Sequence, residues 1–123
     1  MKVIIAEKPS VAREIARVVR ATNKKNDYIE GGGYAVTWAL GHLITVAMPE
    51  AYGIKGFHKE NLPILPPVFT LIPRQIKEGK GYKADAVAVA QLKVIEKLFR
   101  ECEGIIVATD AGREGELIFR FIY

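Results

Sequence analysis

The stretch Gly104-Ile105-Ile106-Val107-Ala108-Thr109-Asp110-Ala111-Gly112-Arg113-Glu114-Gly115-Glu116-Leu117-Ile118 decides how the chain is read. Gly104 closes a helical pattern, and Ile105 to Ala108 is a continuous apolar run fit for a strand covered on both faces. Glu114 to Phe121 then returns to helical spacing. The N-terminus has the same grammar. Lys2 to Ala6 is short, apolar and rich in β-branched residues, and it delivers Glu7; after Pro9, Val11, Ile15, Val18 and Val19 recur at helical spacing opposite Arg13, Glu14, Arg17 and Arg20. Strands alternating with helices predict an α/β fold, a sheet with parallel central strands flanked by helices. In such sheets the ligand crevice lies at the carboxyl ends of the strands. If these two strands are neighbours, Glu7 and Asp110 meet there.

Between the two units, Gly31-Gly32-Gly33 breaks the chain before Tyr34, Val36, Trp38 and Leu40, which alternate with Ala35, Thr37 and Ala39 as a half-buried strand does. From Pro49 to Pro73 the chain holds all but one of its six prolines and has no helical period; only Val68 to Ile72 suits a short strand. So long an irregular segment is either functional, for instance in meeting a neighbouring domain, or an ordered loop packed on the sheet. Ala88, Leu92, Ile95, Phe99 and Cys102 then form one stripe of a helix whose other face carries Lys93, Lys97, Arg100 and Glu101. No stop signal follows Phe121, so residues 1–123 are expected to be one domain truncated at its C-terminal end.

Half of the residues are apolar, enough for one domain to build its own core. No apolar run approaches the ~18 residues of a membrane span, and Glu7 comes too early for a signal peptide, which predicts a cytoplasmic protein with no membrane partner. Cys102 is read as a buried thiol, since a lone cysteine at helical spacing makes no internal disulfide. Eighteen Lys and Arg against fourteen Asp and Glu give a net charge of +4, which favours a polyanionic partner without demanding one.

Taken singly, Glu114 and Glu116 are first-turn acids facing a helix dipole, and Asp110 is a cap or turn residue. Taken with Glu7 they form a carboxylate group in need of a counter-charge. A hard divalent ion such as Mg²⁺ supplies it, because it prefers oxygen ligands and takes one or two carboxylates with substrate phosphate. Lys8 beside Glu7 and Arg113 beside Glu114 add the cations that phosphodiester chemistry uses. Two other patterns lack their context. Gly79-Lys80-Gly81-Tyr82-Lys83-Ala84 fits a loose dinucleotide fingerprint but follows a polar stretch, and Gly31-Gly32-Gly33 lacks the lysine of a phosphate-binding loop.

Ala6-Glu7-Lys8-Pro9-Ser10 and the segment Ala108 to Ile118 together resemble the two signatures of the Toprim domain in type IA DNA topoisomerases of the topoisomerase III kind. Gly41-His42-Leu43 and Leu62-Pro63-Ile64-Leu65-Pro66 with Phe69 are similar to that family too, so the likeness covers essentially the whole chain. The resemblance implies a Toprim, Rossmann-like sheet. It further implies a full-length, ATP-independent enzyme that cleaves and religates single-stranded or negatively supercoiled DNA through a 5′-phosphotyrosyl link, to relax or decatenate it. The tyrosine would lie in further domains of the same polypeptide, so the fragment alone is expected to be inactive. Such an enzyme would be cytoplasmic and nucleoid-associated.

By the same resemblance, Glu7 is a catalytic acid and base, Lys8 holds the scissile phosphate, and Glu7, Asp110 and Glu114 bind Mg²⁺ or Mn²⁺. Lys8 would contact DNA, Arg113 would either contact DNA or brace the acids, and Glu116 supports the helix. The family pattern departs at Gly112, which stands where a second aspartate belongs, so a single-ion site or weaker metal affinity is expected rather than a two-ion clamp. Alternative readings are a Toprim primase or nuclease, or a non-catalytic metal- or DNA-binding module. His42 reads as a hydrogen-bonded structural residue, and His58 carries no role.

Overall fold

The computed structural model describes residues 1–123. In chain order it has β1 (Lys2–Ala6), α1 (Pro9–Val18), β2 (Asn23–Lys24), β3 (Tyr28–Gly31), β4 (Tyr34–Trp38) and β5 (Ile44–Val46). After two short 3-10 turns come β6 (Leu71–Pro73), β7 (Gln75–Glu78), β8 (Gly81–Ala84), α2 (Ala86–Glu101), β9 (Gly104–Ala108) and α3 (Arg113–Ile122). Five strands form the main sheet in the order β2-β3-β4-β1-β9, with β1 parallel to both β4 and β9, and β2 and β3 antiparallel additions. This is the α/β sheet with a parallel centre that the strand–helix alternation predicts.

The core has two sides because side chains alternate along β1. Ile4 and Ala6 pack with Ala12 and Ala16 of α1, whereas Ile5 packs with Ala88 and Ile95 of α2 and Ile118 of α3. Three expectations shift here. On α1 the buried residues are Ala12 and Ala16, with Val18 75% exposed, because small side chains let the helix approach the sheet closely. β4 is covered on both faces rather than one: Ala35, Val36 and Thr37 are all fully buried, since the strand lies between β3 and β1 with helices above and below. β9, read as covered on both faces, is an edge strand. It pairs with β1 alone, and Ile106 on one face and Val107 on the other are each about two-fifths exposed.

The irregular segment is ordered by a small second sheet, in which β5 pairs antiparallel with β6. The strand expected at Val68 to Ile72 begins at Leu71 instead. Gln91, a polar residue that is almost fully buried on α2, donates to the Trp38 carbonyl at 2.7 Å and to Thr37 Oγ1 at 3.1 Å, tying that helix to the end of β4. Cys102 is half-buried at the C-cap of α2, with Sγ 3.3 Å from the Phe99 carbonyl. The glycine-spaced segment 79–84 forms the turn and second strand of a hairpin, not the strand-to-helix turn a dinucleotide fingerprint requires.

Candidate functional site

The parallel register of β1 and β9 sets Ala6 beside Ala108. The chain leaves both strands in the same direction, so Glu7 and Asp110 emerge side by side at the carboxyl edge of the sheet, where the topological rule for parallel sheets puts a ligand crevice. The two carboxyls are neighbours, and the charge of Asp110 acts directly on Glu7. Glu7 is held above the usual carboxylate range. Partial burial is the largest cause, the proximity and charge of Asp110 add to it, and Lys8 and His42 pull it back down.

Asp110 is placed by a tight turn. The Gly112 amide donates to the Asp110 carbonyl at 2.8 Å, and α3 starts directly afterwards. Gly115, buried in the first turn of α3, lies against this backbone: a Cβ there would sit 2.9 Å from both Asp110 N and C, and closer still to its carbonyl oxygen. Glycine at this position is therefore a requirement of close approach.

Glu114 belongs to a second pair. Its Oε2 lies 2.7 Å from His42 Nε2, although 72 residues separate the two. His42 follows Gly41, whose φ of 69° turns the chain after β4, and precedes Leu43, which is buried and pins the loop. The histidine read as structural is thus hydrogen-bonded to one of the site acids. The pair joins residues far apart in sequence, and only the Gly41-His42-Leu43 likeness hinted at it. Lys8 is exposed at the N-cap of α1 and Arg113 is exposed at the start of α3, so both are open to an anionic ligand. Glu116 pairs with Arg120 at 2.7 Å along the helix, in keeping with a supporting role.

The three acids therefore divide, Glu7 beside Asp110 and Glu114 with His42, and no three potential ligands converge in metal-holding geometry. The Glu7–Asp110 pair offers the donor chemistry a hard divalent ion uses, oxygen atoms from one or two neighbouring carboxylates whose mutual repulsion a cation would offset. Glu114 would have to leave His42 to join them. No helix is long and apolar enough to cross a membrane.

The family model for the Toprim domain matches residues 2–123. Over 98% of its length the chain is 48% identical to a protein named DNA topoisomerase 3 from Bacillus thuringiensis (strain Al Hakam). It is 46% identical to that of Bacillus licheniformis and 44% identical to that of Bacillus subtilis (strain 168), again over 98% of the chain. It spans 16% of the length of each of these curated relatives.

Proposed function

Because the chain belongs to the Toprim domain family, we propose that it is the metal-binding catalytic part of a type IA, ATP-independent DNA topoisomerase of the topoisomerase III kind. The juxtaposition of Glu7 and Asp110 at the ends of adjacent parallel strands carries this reading. The naming of the relatives as DNA topoisomerase 3 favours it over a Toprim primase or nuclease. The substrate is single-stranded or negatively supercoiled DNA, and a nucleoid-associated, cytoplasmic location follows from it. The nucleophilic tyrosine belongs to further domains of the polypeptide, so residues 1–123 alone cleave nothing.

In cleavage, Glu7 protonates the 3′-oxygen that leaves phosphorus, and in religation it takes that proton back as the 3′-hydroxyl attacks the phosphotyrosyl bond. Its upward-shifted carboxyl suits the task, since an acid that keeps its proton closer to neutrality can donate it. Lys8, the next residue, holds the scissile phosphate as a point charge. Asp110 helps raise the Glu7 carboxyl in the free site and, with Glu7 and with Glu114 released from His42, would hold Mg²⁺ or Mn²⁺. When bound, the ion neutralises phosphate charge and positions the broken ends. Arg113, exposed beside these acids, contacts the DNA backbone.

Calorimetric titration of the 123-residue chain tests the metal reading. Mg²⁺ is expected to bind, and Glu7→Gln and Asp110→Asn are expected to weaken it. Glu114→Gln should weaken it less, because that carboxylate is turned toward His42. Wild-type chain that binds neither Mg²⁺ nor Mn²⁺, even with a single-stranded oligonucleotide present, would instead favour a non-catalytic module.

A further inference from the structure

The β7–β8 hairpin buries nothing. All eight residues of its two strands are exposed, and its turn is Gly79-Lys80. A two-stranded hairpin with no apolar face against a core is marginal in water, so this one must be held from its base. Arg74 does that. Its guanidinium donates to Asp85 Oδ2 at 2.9 and 3.1 Å and to the Leu40 carbonyl at 2.6 Å, and its backbone amide donates to the Leu43 carbonyl at 2.7 Å. The same loop, between Leu40 and Leu43, carries His42, whose ring touches Glu114. The arm is therefore rooted at the edge of the acidic site.

The two faces of the ribbon differ. Ile76 lies opposite Lys83, and Glu78, two residues on from Ile76, is on that same face and neutralises Lys83 at 3.1 Å. On the other face Lys77 lies directly opposite Tyr82, which is 70% exposed, and neither Lys77 nor Lys80 at the turn has an ion-pair partner. An unpaired cation beside an exposed aromatic ring, on a ribbon that serves no core, is the combination that holds single-stranded nucleic acid, with phosphates on the lysines and a base stacked on the ring.

We propose that Lys77 and Tyr82 on this face of the hairpin, with Lys80 at its turn, form a binding site for single-stranded DNA, lying outside the acidic site and guiding the strand toward it. The inference rests on the DNA-directed reading above, and charge complementarity selects the occupant. A protein partner would have little apolar surface to bury on this face.

The test is fluorescence anisotropy of a labelled oligothymidylate titrated with the 123-residue chain at several salt concentrations. Lys77→Gln with Lys80→Gln should weaken binding by roughly threefold per lysine at low salt. The slope of log K against log salt should become shallower by about 0.7 for each phosphate that a lysine no longer neutralises. Tyr82→Ala should weaken binding about fivefold or more, and Tyr82→Phe should retain it, because the ring and not the hydroxyl does the stacking. The control is Arg13→Gln with Lys93→Gln, which removes the same charge from exposed positions on α1 and α2. Circular dichroism should leave all variants with wild-type spectra, since none of these residues is buried.

If hairpin and control variants bind alike, or Tyr82→Ala binds as wild type, the hairpin site is wrong while the DNA reading stands. A wild-type chain that binds no oligonucleotide overturns both. Hairpin variants weakened beyond the control, with Tyr82→Phe intact, support the proposal.

Discussion

Gly115→Ala puts the link between packing and site under the most direct strain. Substituting alanine for glycine inside a helix ordinarily stabilises it by about 1 kcal/mol. Here the added methyl would meet Asp110 backbone atoms at 2.9 Å or less. Those atoms belong to a turn closed by the Gly112 amide, and they have no flexible side chain that can swing aside. Overpacking of this kind costs about 1–3 kcal/mol, and a clash with backbone belongs in the upper half of that range, so the propensity gain leaves a net loss of about 1–2 kcal/mol. For a domain of this size that corresponds to a Tm lower by about 4–8 °C.

Relief of the clash moves the Asp110 turn away from α3, and with it the carboxyl whose charge acts on Glu7. Loss of such support around a metal ligand typically weakens affinity about 10–100-fold. Thermal unfolding and Mg²⁺ calorimetry on the same preparation read both effects. Gly104→Ala is the control, because a Cβ there meets nothing within 4 Å. A Gly115→Ala chain as stable as wild type with unchanged Mg²⁺ affinity would refute the reasoning that this glycine sets the position of Asp110.

Three further outcomes are expected. Glu7→Gln should leave stability unchanged in acid and raise it above wild type as pH climbs past the ordinary carboxylate range: the upward-shifted Glu7 favours folding while protonated, and that contribution is lost on ionisation, as denaturant unfolding at stepped pH will read. Arg74→Gln should lower stability near neutrality and flatten its fall in acid, read by the same unfolding series. The burial that would raise Asp85 is outweighed by Arg74 and the Val87 amide, so the depressed carboxyl stabilises the fold above its unfolded value and the contribution vanishes as pH falls through the folded one. Gly112→Asp should be tolerated in thermal unfolding to within a few tenths of a kcal/mol, since glycine is already an acceptable N-cap, and should tighten Mg²⁺ binding in calorimetry by adding a carboxylate to the site.

The elements legible in the sequence were those whose residues report burial on their own. Ile4 and Ile5 on β1, the apolar run of β9 and the stripe through Ala88 and Ile95 on α2 each show a period or a run that only a covered element needs. β2, β3 and β7–β8 were not legible, because short polar strands owe their existence to partners: β3 is ordered by pairing with β4, and the hairpin by the Arg74 anchor at its base. Exposure misled in the same way. Ile105 to Ala108 carries the composition of a strand covered on both faces, yet composition does not say which neighbours are present, and within this chain only β1 pairs with it.

The candidate site divides along similar lines. Glu7 and Asp110 could be placed together from sequence because each follows a strand, and parallel neighbours deliver their exits to one edge. His42 and Glu114 could not, since their pairing depends on where the Gly41 turn sends a loop relative to the first turn of α3. Gly112 connects the two questions. Its backbone is extended, with φ −144°, a Cβ there would meet nothing within 4 Å, and it caps α3 without any side-chain hydrogen bond. Nothing in the packing requires glycine there, so the aspartate that the sequence resemblance leads one to expect at this position would be accommodated by the fold. On the proposed metal-binding reading, a cation entering between Glu7 and Asp110 would offset their mutual repulsion, and Glu114 would join it only by exchanging His42 for the ion.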